Sequence, residues 1–327
     1  MAYHAGALKA LDDAGLDVGG ADVLVGTSAG SIMASYLASG WTPHDFYEYA
    51  HGRHPRAPQG DDDLRAEFDG IFTPMWSTPR ERLQRGVGSI FALAASRGYW
   101  RRTGRGAVPA ARLRHAFPSG LYSTAETRAR LHEDLPVEWP RPGLFICAAD
   151  LYTGRRVPFG MEGYPEADLP EAVLASTAIP GVFPPVNIGD RQYVDGGAFS
   201  ATSLDLATDE GCDTILCISP LGYRNEGGLV MRDPALWGPM ITRSFFARTL
   251  AKEVKSARAK GVSVLVIRPG IDELRALGTN AMRNFDRRSV VEATRKAVLK
   301  LVRDNDGHPA LEAARVNRPK QRAKGSA

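Results

Sequence analysis

Apolar residues recur every three or four positions in "YHAGALKALDDAG" (3–15). Ala7, Leu8, Ala10, Leu11 and Ala14 share a helical face, and Gly15 follows as a stop. The pattern then changes. "ADVLVGTS" (21–28) runs continuously apolar without alternation, as a strand buried on both faces does, and "SIMASYLASG" (31–40) returns to helical spacing with small residues suited to close packing. Strand, sharp turn and helix are predicted within 40 residues.

Periodicity weakens over residues 41–140, which are rich in Pro, Gly, Arg and aromatics and include the loop-like "HGRHPRAPQGDDD". This stretch is expected to form a helical and loop cap or lid. Order returns with a strand in "GLFICAAD" (143–150), and the Thr-Gly turn of "LYTGRRVPFG" predicts a hairpin into a second strand. "VNIGDRQYVDGG" (186–197) repeats the device, turning at Gly189-Asp190 into a strand that ends at Asp195. "DTILCIS" (213–219) and "VSVLVI" (262–267) are further strands around a helical pattern at 237–258, and "RRSVVEATRKAVLKLVRD" (287–304) is a last long helix. Strands alternating with helices predict an α/β fold of three layers, α/β/α, around a mainly parallel sheet.

Composition narrows the picture. With 43% hydrophobic and 24% charged residues in 327, the chain has the proportions of a folded globular protein with a sizeable core. Cys147, Cys212, Cys217 and seven histidines are too few and too scattered for a zinc site or a disulfide framework. The net charge of +4 is concentrated in "ARVNRPKQRAKGSA", whose five cations have no acidic counterpart. A catalytic domain over 1–305 followed by a basic, disordered tail over 306–327 is therefore expected. No apolar run reaches the roughly 20 residues needed to span a bilayer, and no signal-peptide layout opens the chain, so the sequence reads as cytoplasmic. "VGSIFALAAS" (87–96), followed by Tyr99 and Trp100 among Arg97, Arg101, Arg102 and Arg105, and the basic tail together predict peripheral contact with an anionic membrane. No nucleic-acid partner is expected.

The candidate chemistry centres on "GTSAGS" (26–31), which sets Ser28 in a Gly-x-Ser-x-Gly frame on the predicted turn. A serine hydroxyl needs a base and donors for the oxyanion that forms. A Ser-His-Asp triad fits poorly: only 27 residues precede Ser28, and beyond residue 132 the chain has one histidine, His308, on the approach to the tail. A glycine-flanked turn also occurs with no chemistry attached. The third reading starts from "YVDGGAFSATS", where a strand ends in Asp195 and Gly196 and Gly197 let the backbone turn, bringing a carboxylate to the rim that holds Ser28. Asp150 reads as a turn cap, His4 as a surface helix residue, and Pro180, Pro184 and Pro185 as shaping the wall before Asp195.

Taken together, "GTSAGS", "AADLYTGRRVPF", "ASTAIPGVFPPV" (175–186) and "DGG" occur in an order that resembles the patatin-like phospholipases, over residues 2–220 or so. The resemblance implies a lipid acyl hydrolase with a Ser-Asp dyad, cleaving carboxylic esters of phospholipids or other lipids. It casts Ser28 as nucleophile, Asp195 as general base, Gly26, Ala29 and Gly30 as elbow and oxyanion residues, and Gly196 and Gly197 as the aspartate motif, with neither metal nor other cofactor. In that family a strand and a glycine-rich oxyanion loop precede the helix that reads "AYHAGALKAL" here. An upstream strand and loop are expected to complete the site. Without them the alternative is a catalytically weakened or inactive lipid-binding or interaction protein.

Overall fold

The computed structural model describes residues 1–58, 69–96, 118–224, 237–278 and 286–316. Helix α1 (Ala2–Asp13) leads into β1 (Leu24–Thr27), which turns at Ser28 into α2 (Ala29–Ala38). After α3 (Pro43–Ala50), α4 (Pro79–Ser96) and α5 (Ala125–Asp134) come β2 (Leu144–Asp150), β3 (Arg156–Phe159), α6 (Leu169–Thr177), β4 (Val186–Ile188) and β5 (Arg191–Asp195). The chain continues through α7 (Leu204–Asp209), β6 (Thr214–Ile218), α8 (Trp237–Ala259), β7 (Ser263–Ile267), α9 (Ile271–Leu277), α10 (Arg287–Asp304) and α11 (Pro309–Val316).

The fold is α/β, with the strands divided between two sheets. A five-stranded sheet has the order β1-β2-β5-β4 with β3 also on β2, and β6-β7 form a separate parallel pair. Pairing is more mixed than the alternation predicts: β1 runs parallel to β2, whereas β3 and β5 run antiparallel to β2 and β4 antiparallel to β5. Part of the cause is visible in the chain, because tight hairpins at Thr153-Gly154 and Gly189-Asp190 make β2-β3 and β4-β5 antiparallel neighbours. Around β6-β7 the layers are complete. Tyr3, Leu11, Val290, Val298 and Leu311 of α1, α10 and α11 cover one face, while Leu204, Leu250 and Ala257 of α7 and α8 pack with Ile215, Cys217 and Val264.

Register positions the site. Thr27 of β1 lies beside Cys147 of β2, and the next residue of β2, Ala148, lies beside Asp195 of β5. Ser28 and Asp195 thus flank one row of β2 from opposite sides, about two strand spacings (~10 Å) apart along the backbone. Their side chains lean over β2 to meet.

The stretch expected as a lid is partly layered onto the domain. Thr42 and Asp45 form a reciprocal cap at the start of α3, which packs on α1, and α5 packs on α6. Phe72 stacks near Phe183 and Tyr122, placing 69–76 and 118–122 against the proline-rich wall before β4. The stretch expected as a tail from 306 begins with an ordered helix, since α11 buries Ala310, Leu311 and Ala314 against β6 and β7. The 97–105 basic loop and residues 317–327 lie outside the described residues. Among the described residues no helix is long and apolar enough to cross a membrane.

Candidate active site

Continuous burial explains why β1 and β2 form: all seven residues of β2 are buried, and β1 becomes buried towards Gly26 and Thr27. At the end of β1 the backbone turns sharply. Ser28 adopts φ 54° and ψ −126°, one of two non-glycine residues with positive φ among the described residues. Such a conformation costs of order 1–3 kcal/mol and persists only where the surroundings impose it. They do so here: the Ser28 amide donates to Ser176 Oγ at 3.0 Å, Ser176 Oγ donates to the Cys147 carbonyl at 2.7 Å, and Ser31 Oγ donates to the Ser28 carbonyl at 2.6 Å.

Glycine is required on the strand side of the turn. A Cβ on Gly26 would lie 2.6 Å from Ser31 Cα and 2.7 Å from the Gly30 carbonyl, so β1 could not approach α2. Gly30 differs, for an added Cβ there meets only His4 Nε2, at 3.9 Å. Because the Ser28 amide is already engaged, the free donors of the turn are the first amides of α2, those of Ala29 and Gly30, at the positive end of the helix.

Asp195 ends β5 with its amide on the Ala178 carbonyl at 2.9 Å, and Oδ1 accepts from the Gly197 amide at 2.7 Å. A Cβ on Gly196 would lie 2.3 Å from the Cys147 carbonyl, so this turn too needs glycine. The carboxylate is buried and hydrogen-bonds the Ser28 hydroxyl. Burial raises its pKa from 3.8 to about 6, against the lowering effect of the bonds from Ser28 and Gly197. The segment beyond is anchored by Glu253 of α8, which accepts from Ser200 Oγ at 2.5 Å and Thr202 Oγ1 at 2.6 Å.

The other candidates separate cleanly. Asp150 accepts from the amides of Tyr152 and Thr153 and pairs with Arg191 at 2.7 Å, which makes it a turn cap. His308 accepts the Ala310 amide at the start of α11. Burial pushes the Cys147 thiol up to about 11 and the Cys217 thiol to about 12, so both stay protonated at neutral pH. His4 is not the surface residue its helix pattern implies: it is 8% exposed. Ser176 was not visible as a site residue in the sequence, although it stands in the segment "ASTAIPG"; its partner Ser28 is 148 positions away. Among the described residues no group of His, Cys, Asp or Glu is arranged to hold a metal ion.

An α/β fold that presents a serine on a strained strand-to-helix turn, hydrogen-bonded to a buried carboxylate, places the protein among α/β proteins with an elbow-borne candidate nucleophile. The family model described as patatin-like phospholipase matches residues 1–208. The chain belongs to the patatin-like phospholipase family, a family of lipid acyl hydrolases.

Proposed function

We propose that the protein hydrolyses carboxylic esters of lipids through a Ser28-Asp195 dyad. The observation that carries the reading is the hydrogen bond between a strained, half-buried serine and a carboxylate whose basicity burial has raised. Ser28 Oγ bonds to the ester carbonyl carbon as its proton passes to Asp195, and the carbonyl π pair becomes an oxyanion facing the Ala29 amide. Collapse restores the carbonyl, breaks the bond to the alcohol and returns the proton from Asp195 to the leaving oxygen. Water, deprotonated by Asp195, then releases the acid from acyl-Ser28 by the same two steps.

Fluorophosphonate labelling tests the reading directly. Wild-type protein is expected to label at Ser28, and Ser28→Ala to lose both the label and hydrolysis of a short-chain ester. Wild-type protein that neither labels nor turns over would instead favour a lipid-binding role without catalysis.

The same protein is proposed to work at a lipid surface. Leu83 and Ile90, seven residues apart on one face of α4, are 69% and 68% exposed, with Arg80, Arg82 and Arg85 on the same helix. Apolar side chains bordered by cations suit an anionic interface. Helix α4 also packs on the wall before Asp195: the Gly120 amide donates to Ser89 Oγ at 3.1 Å, and Gly120 abuts Pro184.

A further inference from the structure

His4 is a buried side chain beside the elbow that the dyad does not use. It projects from the first turn of α1, is 92% buried, and its Nδ1 is sealed from solvent with no hydrogen-bond partner. Its Nε2 faces the first turn of α2, where it is the nearest atom outside that helix to a Cβ placed on Gly30, at 3.9 Å. Burial, reinforced by the amino group of Met1, lowers its pKa to about 3. The ring is therefore neutral at any working pH, with one nitrogen a donor and the other an acceptor. Buried N–H groups are rarely left without an acceptor, whereas a missing donor to a lone pair is better tolerated. The proton therefore belongs on Nε2, the nitrogen that faces the first turn of α2.

We propose that His4 Nε2–H donates a hydrogen bond to the ester carbonyl oxygen as it becomes the oxyanion on Ser28, acting beside the Ala29 amide. This rests on Ser28 being the nucleophile. It adds a side-chain donor from a different helix to the backbone amides of α2. A neutral imidazole suits the role because it offers a hydrogen bond without a positive charge that would lower the basicity of Asp195.

Three substitutions test it. Gln places an amide N–H near the position of Nε2, Asn places one near Nδ1, and Phe keeps the ring without a donor. Each is measured for kcat and KM on p-nitrophenyl butyrate, for the rate of Ser28 labelling by a fluorophosphonate, and for thermal unfolding. Expected is a loss in kcat on the order of 10²-fold for His4→Phe and His4→Asn, with KM within about threefold, and recovery to within about tenfold of wild type in His4→Gln. Gly30→Ala, which sets a methyl against Nε2 with His4 in place, should also lower kcat and serves if His4→Phe fails to fold. Wild-type kcat in His4→Phe, or equal losses in the Gln and Asn variants, overturns the role of His4 while leaving Ser28 as nucleophile. Failure of wild-type protein to label at Ser28 overturns both.

Discussion

At the scale of single residues, the site is built from conformations and ionisations that work against stability. The Ser28 backbone is strained and Asp195 is a carboxylate out of water. Because its folded pKa lies above the unfolded value, the folded state holds the proton more tightly. That advantage is complete below pH 3.8 and is lost as pH rises to about 6. Above pH 6 the ionised group costs roughly 3 kcal/mol relative to the unfolded chain. Asp195→Asn should therefore raise the melting temperature by a few degrees at pH 8, have much less effect at pH 4, and abolish turnover. A melting point unchanged at pH 8 would show that burial does not set the ionisation of Asp195. By the same logic, activity should rise with pH through about 6, since in the proposed dyad only the ionised carboxylate can take the Ser28 proton. Ser28→Gly should unfold at higher denaturant than Ser28→Ala, by about 1 kcal/mol, because glycine adopts positive φ at no steric cost. Both variants should be inactive, so calorimetry or urea titration separates strain from chemistry.

At the scale of elements, what the sequence revealed and what it hid have physical reasons. The elbow was legible because a continuous apolar run ends in small residues and resumes as a helix, and the hairpins because Gly154 and Gly189 need positive φ. Strand direction was harder to read, because β2, buried along its whole length, pairs parallel with β1 and antiparallel with β3 and β5, so its apolar run fits either direction. His4 was misjudged because α1 is buried on two sides: Ala5 and Leu8 face the main core, while Tyr3, Ala7 and Leu11 face the β6-β7 core. Alanines hide that second face from a count of large apolar residues. Ser176 supplies a further test. Ser176→Ala leaves the Ser28 amide and the Cys147 carbonyl without their shared partner. It should lower kcat by at least tenfold with KM little changed and destabilise the fold by about 1–3 kcal/mol. Ser176→Thr, which keeps the hydroxyl, should recover more activity than Ser176→Ala. Wild-type kcat in Ser176→Ala would show that the elbow holds itself.

At the scale of the whole molecule, one surface should decide where the protein works. Co-sedimentation with anionic vesicles is expected to weaken severalfold in Leu83→Asp/Ile90→Asp and at high salt, with hydrolysis of a water-soluble ester unchanged. Binding that ignores both changes would place the lipid contact elsewhere. His308→Ala should be silent in turnover, because its ring only caps α11.

The register around Ala148 carries a consequence for how this site can be lost. Side chains alternate across a strand with a period of two, so sliding β5 by one residue along β2 would send Asp195 to the opposite face of the sheet. The Gly189-Asp190 turn fixes the register of β4 on β5, whereas the alignment of β5 on β2 rests on their own ladder. Catalytic competence is in this sense a matter of counting as much as of chemistry. One codon inserted within β5 ahead of Asp195 should silence the proposed activity while leaving every residue of the site intact, a form of inactivation that a search for missing catalytic residues would not detect.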